Sequence, residues 1–373
     1  MKFAVFENIM TPGGHEVDFD RILVEELQTL GHEIIFYVPE NFQFQLDYKV
    51  PVQKISGSAV SYKNSGGLKK IFAAAKREIN RQRWYKQLYN LQNNFDALIV
   101  PTSTYRYLRA LNHNVLKKIS VPLIFILHGV NPTEAPKLLC EAEKLLPNKN
   151  IKIVVLTLAK DIFGQRRENI FTIYPPTYTA RDLKSGKKKF PSETLTVGFF
   201  GQYRREKKLR DLLEVFVHEH YSRKVQLIVQ GSTMHEEDAQ DFENIIAQYK
   251  DCDSLKFMHR GLFGEDWQGA ISNVDALLMP YSAPRYRYHW SGMLFTAIGY
   301  QKPVICSDEM NPEVFEMYKI GETFQSGNLE SLRIALKNFI DNFDKNFSTY
   351  EKNLCAAAEI FSPTKFAKRL ANL

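Results

Sequence analysis

Two successive series of short β-rich runs dominate this chain, and within each series helical patterns separate the runs. The first series extends from residue 2 to about residue 178, and the second from about residue 194 to residue 349. The runs are apolar on both faces, which is typical of strands in a parallel sheet that helices cover on both sides. The pattern therefore predicts an α/β protein with two doubly wound, Rossmann-like domains.

The strand candidates are short and rich in β-branched and aromatic residues. They are 2–6, 33–38, 97–100, 122–127, 152–157, 195–200, 225–229, 275–279 and 303–307. Apolar residues at three- and four-residue spacing predict helices at 19–30 and 209–216. Because such sheets bind ligands in the crevice at the carboxyl ends of their strands, we expect the two domains to face each other across a cleft.

Residues 179–193 (TARDLKSGKKKFPSE) separate the two series. They are polar and basic, contain Gly and Pro, and carry no apolar period, as inter-domain linkers do. We therefore expect a first domain at 1–178, a linker at 179–193 and a second domain at 194–349.

The composition argues against several classes of protein. Hydrophobic residues make up 44% and charged residues 24% of the chain, which is typical of a globular protein and not of a disordered one. The four cysteines lie far apart, which argues against a disulfide framework or a Cys-rich zinc module. No apolar run reaches the roughly 18 residues of a membrane span, and the first residues resemble a strand more than a signal peptide. We therefore expect a cytoplasmic protein.

The formal net charge of +7 comes entirely from the first half. Residues 1–178 hold 23 basic and 16 acidic side chains, whereas 179–373 hold 26 of each. Nucleic-acid binding is one alternative, but the sequence contains no recognition motif for it and the excess is small for the length. The surplus favours an anionic or membrane-linked partner for the first domain.

Many of these basic residues lie in 68–88 (LKKIFAAAKREINRQRWYKQL). The apolar residues of this stretch are spaced to line one face of a helix: Leu68, Ile71, Phe72, Ala75 and Ile79. Such a basic amphipathic helix either docks on an anionic membrane surface or packs on the sheet with its cationic face in solvent.

Two stretches of the second half have the form of anion-binding sites. In 197–209 (VGFFGQYRREKKL) a strand ends at a glycine, a cationic loop follows and a helix begins at once. The free N–H groups and positive dipole end of a helix attract anions, although a solvated basic loop explains the same pattern. In 290–299 (WSGMLFTAIG) the amides of Ser291, Gly292 and Met293 open either a second anion site or an ordinary capped core helix.

The order of these motifs resembles the carboxyl domain of GT-B glycosyltransferases, and glycosyltransferase family 4 in particular. One strand is followed by the motif G-x-x-R-x-E-K, and the next strand is followed by a glycine. Further along the chain lie the segments FMHRG, DALLMPY and SG…KPVI-x-SD. The first half resembles the family through a Gly-Gly loop after its first strand, L-x-x-L-G-H-E-I, and His128-Gly129 after a later strand. The resemblance implies that 350–373 form a helix that crosses back onto the first domain.

The resemblance also implies roles for individual residues. It gives catalytic roles to His128, Arg204 and Lys207. In the family a pair of basic residues holds the donor diphosphate, and this pair matches Lys207 together with either Arg204 or Arg205. The residues implied in donor binding are Gly13, Gly14, Gly201, Arg205, Gly231, Arg260, Leu262, Ser291, Gly292, Met293 and Thr296. Gly13 and Gly14 match a loop that closes near the phosphates and the acceptor, and 260–262 match the segment that recognises the nucleobase.

The sequence departs from the family at two glutamates that most members carry with seven residues between them. Tyr288 and Thr296 stand at these positions, so neither carboxylate is present. A neutral threonine is expected to hold a ribose less strongly than a carboxylate does. We expect the adjoining loop to supply contacts to the donor sugar or the acceptor through Arg285, Arg287, Tyr288 and His289.

The resemblance implies transfer of a hexosyl group from a UDP- or GDP-sugar to a saccharide or lipid-linked acceptor in bacterial surface polysaccharide or glycolipid assembly. It implies retention of the anomeric configuration, with no metal and no cofactor besides the nucleotide sugar. The missing glutamates leave an alternative, a catalytically degenerate GT-B protein that acts as a partner or chaperone subunit. A nucleotide-sugar epimerase of the same fold relies on further carboxylates and histidines, which the sequence does not reveal.

Overall fold

The structure, a computed structural model, describes residues 1–9, 16–59, 68–159, 162–163, 167–179, 193–283 and 285–373, without the side chains of 68–71, 113 and 114. Gly13 and Gly14 lie outside the described residues, and so does the predicted linker except for its first and last residue. The chain divides into two compact units. Among the described residues, unit 1 holds 1–9, 16–175 and 363–373, and unit 2 holds 176–362.

Unit 1 is built on a seven-stranded sheet with the strand order β3-β2-β1-β4-β5-β6-β7. The strands are β1 (Lys2–Phe6), β2 (Glu33–Pro39), β3 (Val52–Ile55), β4 (Ala97–Ser103), β5 (Leu123–Leu127), β6 (Ile151–Leu156) and β7 (Ile170–Ile173). Every pairing is parallel, so the carboxyl ends of the strands lie at one edge of the sheet. The central strands are almost fully buried, as their apolar sequences predict.

Helices pack against the sheet of unit 1. They are α1 (Glu16–Thr29), α2 (Leu68–Asn90), α3 (Tyr105–Arg109), α4 (His113–Leu116) and α5 (Ala135–Leu145). α1 buries Phe19, Ile22, Leu23 and Leu27, which confirms the helix predicted from their spacing.

α2 corresponds to the basic helix predicted at 68–88. Among its described side chains, which begin at Phe72, those that it buries lie in its second half: Asn80, Arg81, Trp84, Tyr85 and Leu88. Phe72 and Ile79 are 74% and 60% exposed. The carboxyl-terminal half of α2 therefore packs on unit 1, whereas these two apolar residues face solvent.

Unit 2 is built on a six-stranded parallel sheet with the order β10-β9-β8-β11-β12-β13. Its strands are β8 (Thr194–Phe199), β9 (Lys224–Gly231), β10 (Leu255–His259), β11 (Ala276–Met279), β12 (Val304–Ser307) and β13 (Gly321–Phe324). The prediction of a second doubly wound α/β unit is confirmed.

The helices of unit 2 follow its strands in the order expected of such a fold. They are α6 (Leu209–His218), α7 (Glu236–Tyr249), α8 (Gly264–Ser272), α9 (Arg285–Tyr288), α10 (Gly292–Gly299), α11 (Pro312–Met317), α12 (Leu329–Asp341) and α13 (Phe343–Ile360). Taken over all described ranges, no helix combines the length and the hydropathy that crossing a membrane requires.

The carboxyl terminus differs from the single helix expected at 350–373. α13 belongs to unit 2, where it buries Leu354 and Ala357. A second helix, α14 (Pro363–Ala371), belongs to unit 1 and packs on α1, with the ring of Phe366 at 5.7 Å from that of Phe19. The break falls at Pro363 because proline has no N–H for a continuing helix but suits the first position of a new one.

The boundary between the units lies at Pro175 and Pro176, slightly before the residue 178 expected from sequence. Two contacts explain this position. The N–H of Thr177 donates to the carbonyl oxygen of Phe361 at 2.8 Å. The ring of Tyr178 lies 5.4 Å from that of Trp290. Both partners belong to unit 2, so the chain has joined that unit before the predicted linker begins.

Candidate functional site

The sheet of unit 2 has a switch point between β8 and β11. The chain proceeds from β8 to β9 and β10 on one side, and from β11 to β12 and β13 on the other. The loops after β8 and β11 therefore diverge at their carboxyl ends. Because open α/β sheets bind ligands in the crevice that forms at such a point, these two loops form the candidate site.

Gly201 begins the loop after β8. Its φ of 105° is a backbone conformation that residues with a side chain rarely adopt. A Cβ atom here would also lie 3.4 Å from Nζ of Lys207 and 3.9 Å from Sδ of Met293. Both distances are ordinary contacts, so the backbone conformation is what requires glycine here, and Lys207 and the first turn of α10 lie close to this stretch of backbone.

Lys207 ends a short 3₁₀ turn and is only 8% exposed. Its Nζ lies 4.7 Å from the ring centroid of Tyr281 and 5.9 Å from that of Phe199. Burial, and next to it the positive charge of Arg204, lower the pKa of Lys207 to about 7. No carboxylate of the described residues forms an ion pair with it, so an anionic ligand would supply the missing countercharge.

The structure distinguishes the two arginines that the sequence left as alternatives. Arg204 donates a hydrogen bond to Gln202 at 2.9 Å, and its Nη1 lies 3.7 Å from a carboxylate oxygen of Glu206. Arg205 points away from the switch point, with its side chain 63% exposed and its Nε 3.6 Å from Asp241 on α7. Arg204 is therefore the arginine that the fold places beside Lys207.

Arg285, on α9 after β11, forms an ion pair with the same carboxylate, Glu206. Burial lowers the pKa of Arg285, and so does the charge of Arg204. A main-chain hydrogen bond from Ser282 to Glu206 (3.0 Å) joins the two loops. Glu206 therefore organises the cations, a role that the sequence interpretation missed although the residue belongs to the E-K motif.

The other residues of this loop have separate partners. Arg287 forms an ion pair with Glu313 on α11, and its guanidinium lies 5.7 Å from the ring centroid of Tyr288. The carbonyl oxygen of His289 accepts a hydrogen bond from Asn311 at 3.4 Å. Arg287, Tyr288 and His289 are half-buried and follow Arg285 along the chain, but Arg287 is held by α11 and not by Glu206.

The amino terminus of α10 adjoins Gly201 through Met293. Ser291 caps this helix, since its Oγ accepts the N–H of Leu294 at 3.3 Å, and its own N–H donates to Asn311 at 2.9 Å. The first N–H groups of a helix, here those of Gly292 and Met293, have no partner within it. Thr296 is buried, and its hydroxyl donates to the carbonyl oxygen of Gly292 at 2.7 Å.

Three further residues that the resemblance implies in donor binding lie at the carboxyl ends of β9 and β10, and two of them, Arg260 and Leu262, belong to the segment expected to contact the nucleobase. Gly231 ends β9, where a Cβ would meet the ring of Phe242 at 2.9 Å. Arg260 follows β10 with an exposed side chain, and Leu262 is buried. The sequence interpretation missed the neighbouring Gln230, a buried polar residue that directly follows the apolar run 227–229 of β9.

His128 follows β5 in unit 1. Its Nε2–H donates to the carbonyl oxygen of Pro101 at 2.8 Å, since a carbonyl oxygen only accepts. Its ring lies 4.5 Å from that of Phe19 on α1. The structure thus places His128 at the carboxyl edge of the first sheet, with one ring nitrogen engaged by the backbone.

Unit 1 also contains a pair of buried carboxyl groups that the sequence interpretation missed. Glu7 directly follows β1 and Asp20 lies on α1, and both are buried. Oε1 of Glu7 accepts the N–H groups of Asn8 and Ile9, each at 2.6 Å. Burial raises the pKa of Glu7 to about 8, and burial together with the charge of Glu7 raises the pKa of Asp20.

No group of three or more His, Cys, Asp or Glu residues in the described part of the chain has an arrangement that would hold a metal ion.

No protein-family model matches the sequence, and a comparison with curated protein sequences finds no match. Solved structures do match. A glycosyltransferase from Rickettsia africae ESF-5 has a TM-score of 0.71 at 13% identity, covering 100% of this chain and 97% of that one. HepE from Anabaena in complex with UDP-glucose has a TM-score of 0.68 at 15% identity, covering 100% and 98%.

An α,α-trehalose-phosphate synthase (UDP-forming) from Burkholderia xenovorans has a TM-score of 0.72 at 10% identity, covering 100% of this chain and 99% of that one. The match extends over both sheets and over nearly all of each relative. The chain therefore has the fold of the GT-B glycosyltransferases.

Proposed function

We propose that the protein is a glycosyltransferase that moves a hexosyl group from a nucleotide-diphosphate donor to an acceptor hydroxyl. The observation that carries the proposal is the convergence of Arg204, Lys207 and Arg285 at the switch point of unit 2. Among the described residues, Glu206 is the carboxylate that Arg204 and Arg285 share, and no carboxylate forms an ion pair with Lys207. The excess of positive charge suits a diphosphate, which charged hydrogen bonds hold strongly.

In such a transfer the bond between the anomeric carbon and the phosphate oxygen breaks, and negative charge develops on the leaving diphosphate. Cations and N–H groups that are already in position stabilise this charge in the transition state. Arg204 and Lys207 supply the positive charge. The N–H groups of Gly292 and Met293 supply hydrogen bonds at the positive end of the α10 dipole. We propose that these groups do the work without a metal ion.

We further propose that the product retains the anomeric configuration of the donor. In that course the acceptor hydroxyl attacks from the side on which the diphosphate departs, and a phosphate oxygen takes the hydroxyl proton. Two features of the loops at the switch point support this course. The loops present cations to the leaving diphosphate, and their carboxylate, Glu206, is already paired with Arg285. The leaving group then serves as the base.

The donor we propose is a UDP-sugar, with a GDP-sugar as the alternative that the test separates. The structure of HepE contains UDP-glucose, and the Burkholderia enzyme is named as UDP-forming. The segment expected to contact the base is 260–262, at the carboxyl end of β10. We assign no roles to Gly13 and Gly14 beyond the prediction made from the sequence.

For the acceptor, we propose a saccharide or a lipid-linked saccharide of surface polysaccharide or glycolipid assembly, used at the cytoplasmic face of a membrane. The support is an exposed stripe on α2 formed by Phe72, Lys76, Ile79 and Arg83, which we call the α2 stripe. Spacings of four and three residues place these side chains on one helix face. Apolar and basic residues on one exposed face are typical of helices that lie on anionic membranes.

The test of the proposed activity begins with calorimetric titration of the purified full chain with UDP and GDP. We then expect transfer or slow hydrolysis with one of a panel of UDP-hexoses, with the anomeric configuration read by NMR. Lys207→Ala should lower turnover by two or more orders of magnitude, since removing one charge-stabilising group typically costs about that much. Lys208→Ala is the matched control, because this neighbouring side chain turns toward Asp211 at 3.5 Å.

Two outcomes would overturn the proposal: a wild-type protein that binds neither nucleotide, or a Lys207→Ala variant with wild-type turnover. A third outcome, nucleotide binding without transfer or hydrolysis for any sugar tested, would support the degenerate partner subunit. One observation favours that alternative. Tyr288 and Thr296 stand where the family has glutamates, and the hydroxyl proton of Thr296 is engaged by Gly292.

A further inference from the structure

Three loops of unit 2 lie side by side at the carboxyl edge of its sheet. They follow β8, β9 and β10, which are neighbouring parallel strands. The first loop carries Gly201 and Lys207, which we assign to the diphosphate. The third carries 260–262, which we assign to the nucleobase. A nucleotide bound in this way contacts the first and third loops at once, so the distance between them decides how well it fits.

One buried side chain connects these loops. Gln230, on β9 between the two, is 1% exposed. Its amide oxygen accepts the N–H of Gly201 at 2.9 Å, and its amide nitrogen donates to the carbonyl oxygen of Arg260. The orientation of the amide follows from its partners, because an N–H only donates and a carbonyl oxygen only accepts.

Other bonds hold the loop after β8 without help from Gln230. The N–H of Tyr203 donates to the carbonyl oxygen of Ser232 at 2.7 Å, and the N–H of Ser232 donates to that of Gly201 at 3.3 Å. The regular pairing of β9 with β10 ends at Gly231 and His259, one residue before Arg260. Gln230 thus acts where the main-chain pairing of β10 has stopped.

A second side-chain contact braces the same edge. Nε2 of His259 lies 3.0 Å from Oγ1 of Thr233, and Nδ1 of His259 contacts Glu243 on α7. This brace holds the last residue of β10, but it makes no contact with Gly201. Gln230 is the side chain that reaches both loops.

We infer that Gln230 is a positioning residue that sets the distance between the diphosphate loop and the nucleobase segment, and thereby the selectivity of the site for its base. The inference rests on the proposed function. Gln230 is 1% exposed and both of its polar atoms bond to the backbone, so its effect on a ligand is exerted through those backbone groups. The residue acts through Gly201 and Arg260, and loss of its amide removes a part-buried partner from the N–H of Gly201 and from the carbonyl oxygen of Arg260.

The test compares Gln230→Met with Gln230→Glu in the full chain. Calorimetry with UDP, GDP and ADP gives base selectivity, and inorganic pyrophosphate reports on the diphosphate loop alone. Methionine keeps the length of the side chain but makes neither hydrogen bond. We therefore expect the affinity of Gln230→Met for the nucleotide that the wild type prefers to fall about tenfold, which is typical of the loss of such hydrogen bonds. Discrimination between bases should fall similarly, while pyrophosphate affinity changes less than about twofold. Gln226→Met, four residues earlier on β9, is the matched control and should behave as wild type.

Gln230→Glu gives a pH-dependent version of the same test. A protonated glutamic acid has one O–H donor and one carbonyl acceptor, so it can remake both bonds, whereas the ionised form cannot donate to Arg260. We expect selectivity in this variant to recover at about pH 5.5 and to be lost at about pH 8, since burial raises a carboxyl pKa. This variant carries the test if Gln230→Met does not fold.

The outcomes separate this inference from the proposed function. A wild-type chain that binds no nucleotide overturns the proposed function. A wild-type chain that discriminates between bases, together with Gln230 variants that discriminate equally well at every pH, overturns the inference alone. Equal loss of pyrophosphate and nucleotide binding in Gln230→Met also overturns it, because Gln230 would then support only the diphosphate loop.

Discussion

Nζ of Lys207 lies 4.7 Å above the ring of Tyr281, so the structure pairs a buried cation with an aromatic face where a carboxylate would be expected. A cation–π contact offsets only part of the cost of burying an ammonium group. The pKa of Lys207 therefore falls to about 7, with burial as the larger cause and Arg204 as the second. Near neutral pH the unliganded side chain is only partly charged.

This pKa predicts that diphosphate binding is linked to proton uptake. Because the pKa is lowered in the unliganded fold, Lys207 loses its proton as pH rises through about 7. An anionic ligand favours the charged form, so Lys207 takes the proton up again when the ligand binds. We expect the dissociation constant of UDP to rise up to about tenfold per pH unit above pH 7. Calorimetry in buffers of different ionisation enthalpy measures the protons taken up at each pH.

Lys207→Arg supplies the control for that prediction, because a guanidinium stays charged throughout this range. In this variant the affinity for UDP should change little between about pH 7 and pH 9. A wild-type protein whose UDP affinity is as flat with pH as that of Lys207→Arg would show that Lys207 is already charged before the ligand binds.

The two neighbouring arginines should differ sharply in their effect on activity. Arg204 faces Glu206 at the switch point, whereas Arg205 is held at the surface by Asp241. We expect Arg204→Ala to lower kcat/KM about a hundredfold, as loss of one charge-stabilising group does. Arg205→Ala should stay within about threefold of wild type, as expected of an exposed ion pair. Steady-state kinetics would contradict the assignment if the two effects were reversed.

The sequence predicted the central strands well because burial on both faces makes them uniformly apolar, as in 97–100 and 122–127. It missed β3 and β7, which are the two edge strands of the first sheet. β3 exposes Val52, Gln53 and Lys54, so its sequence has neither a continuous apolar run nor a regular alternation. Edge strands of this kind are specified by pairing with a neighbour, which a local pattern does not contain.

The candidate site was predicted in the same uneven way. The strand–loop–helix pattern indicated an anion-binding loop that begins at Gly201, and the resemblance to family 4 singled out Lys207 within it. The choice between Arg204 and Arg205 could not be made, since it depends on Asp241, a residue of α7 that is distant in sequence. Gln230 and Glu206 act through partners on other loops, so only the fold reveals their roles.

The buried pair of Glu7 and Asp20 predicts an unusual dependence of stability on pH. Both pKa values are raised in the fold, and that of Glu7 reaches about 8. Between about pH 4.5 and pH 8 the folded chain therefore holds protons that the unfolded chain releases, so these groups lower stability as pH rises. Glu7→Gln keeps an acceptor for the N–H groups of Asn8 and Ile9. It removes this loss of stability at high pH because glutamine does not ionise.

We therefore expect Glu7→Gln to raise the free energy of unfolding by about 2 kcal/mol at pH 8, and by much less at about pH 5. Denaturant titrations at the two pH values provide the measurement. Glu40→Gln, at an exposed position of unit 1, is the control and should change stability by less than about 0.5 kcal/mol. Equal effects of Glu7→Gln at both pH values would mean that Glu7 is already ionised in the fold.

The α2 stripe predicts salt-sensitive binding to anionic membranes. Phe72 and Ile79 provide apolar surface, and Lys76 and Arg83 on the same face provide charge, each worth about 1 kcal/mol near an anionic surface. We expect the full chain to bind vesicles that contain an anionic phospholipid, to bind zwitterionic vesicles weakly, and to dissociate at high salt. The double variant Phe72→Ser/Ile79→Ser should lower the partition coefficient at least about tenfold, because each side chain loses more than 1 kcal/mol of apolar burial.

The matched control for the α2 stripe lies in unit 2, where Leu329 and Ile334 are 47% and 46% exposed. Leu329→Ser/Ile334→Ser also removes exposed apolar surface from a helix, but the basic residues near it on α12, Arg333 and Lys337, are already paired with carboxylates. Vesicle co-sedimentation should therefore give the wild-type result for this variant. If both double variants lost binding equally, the attachment would be general hydrophobic adsorption, and α2 would have no special part in it.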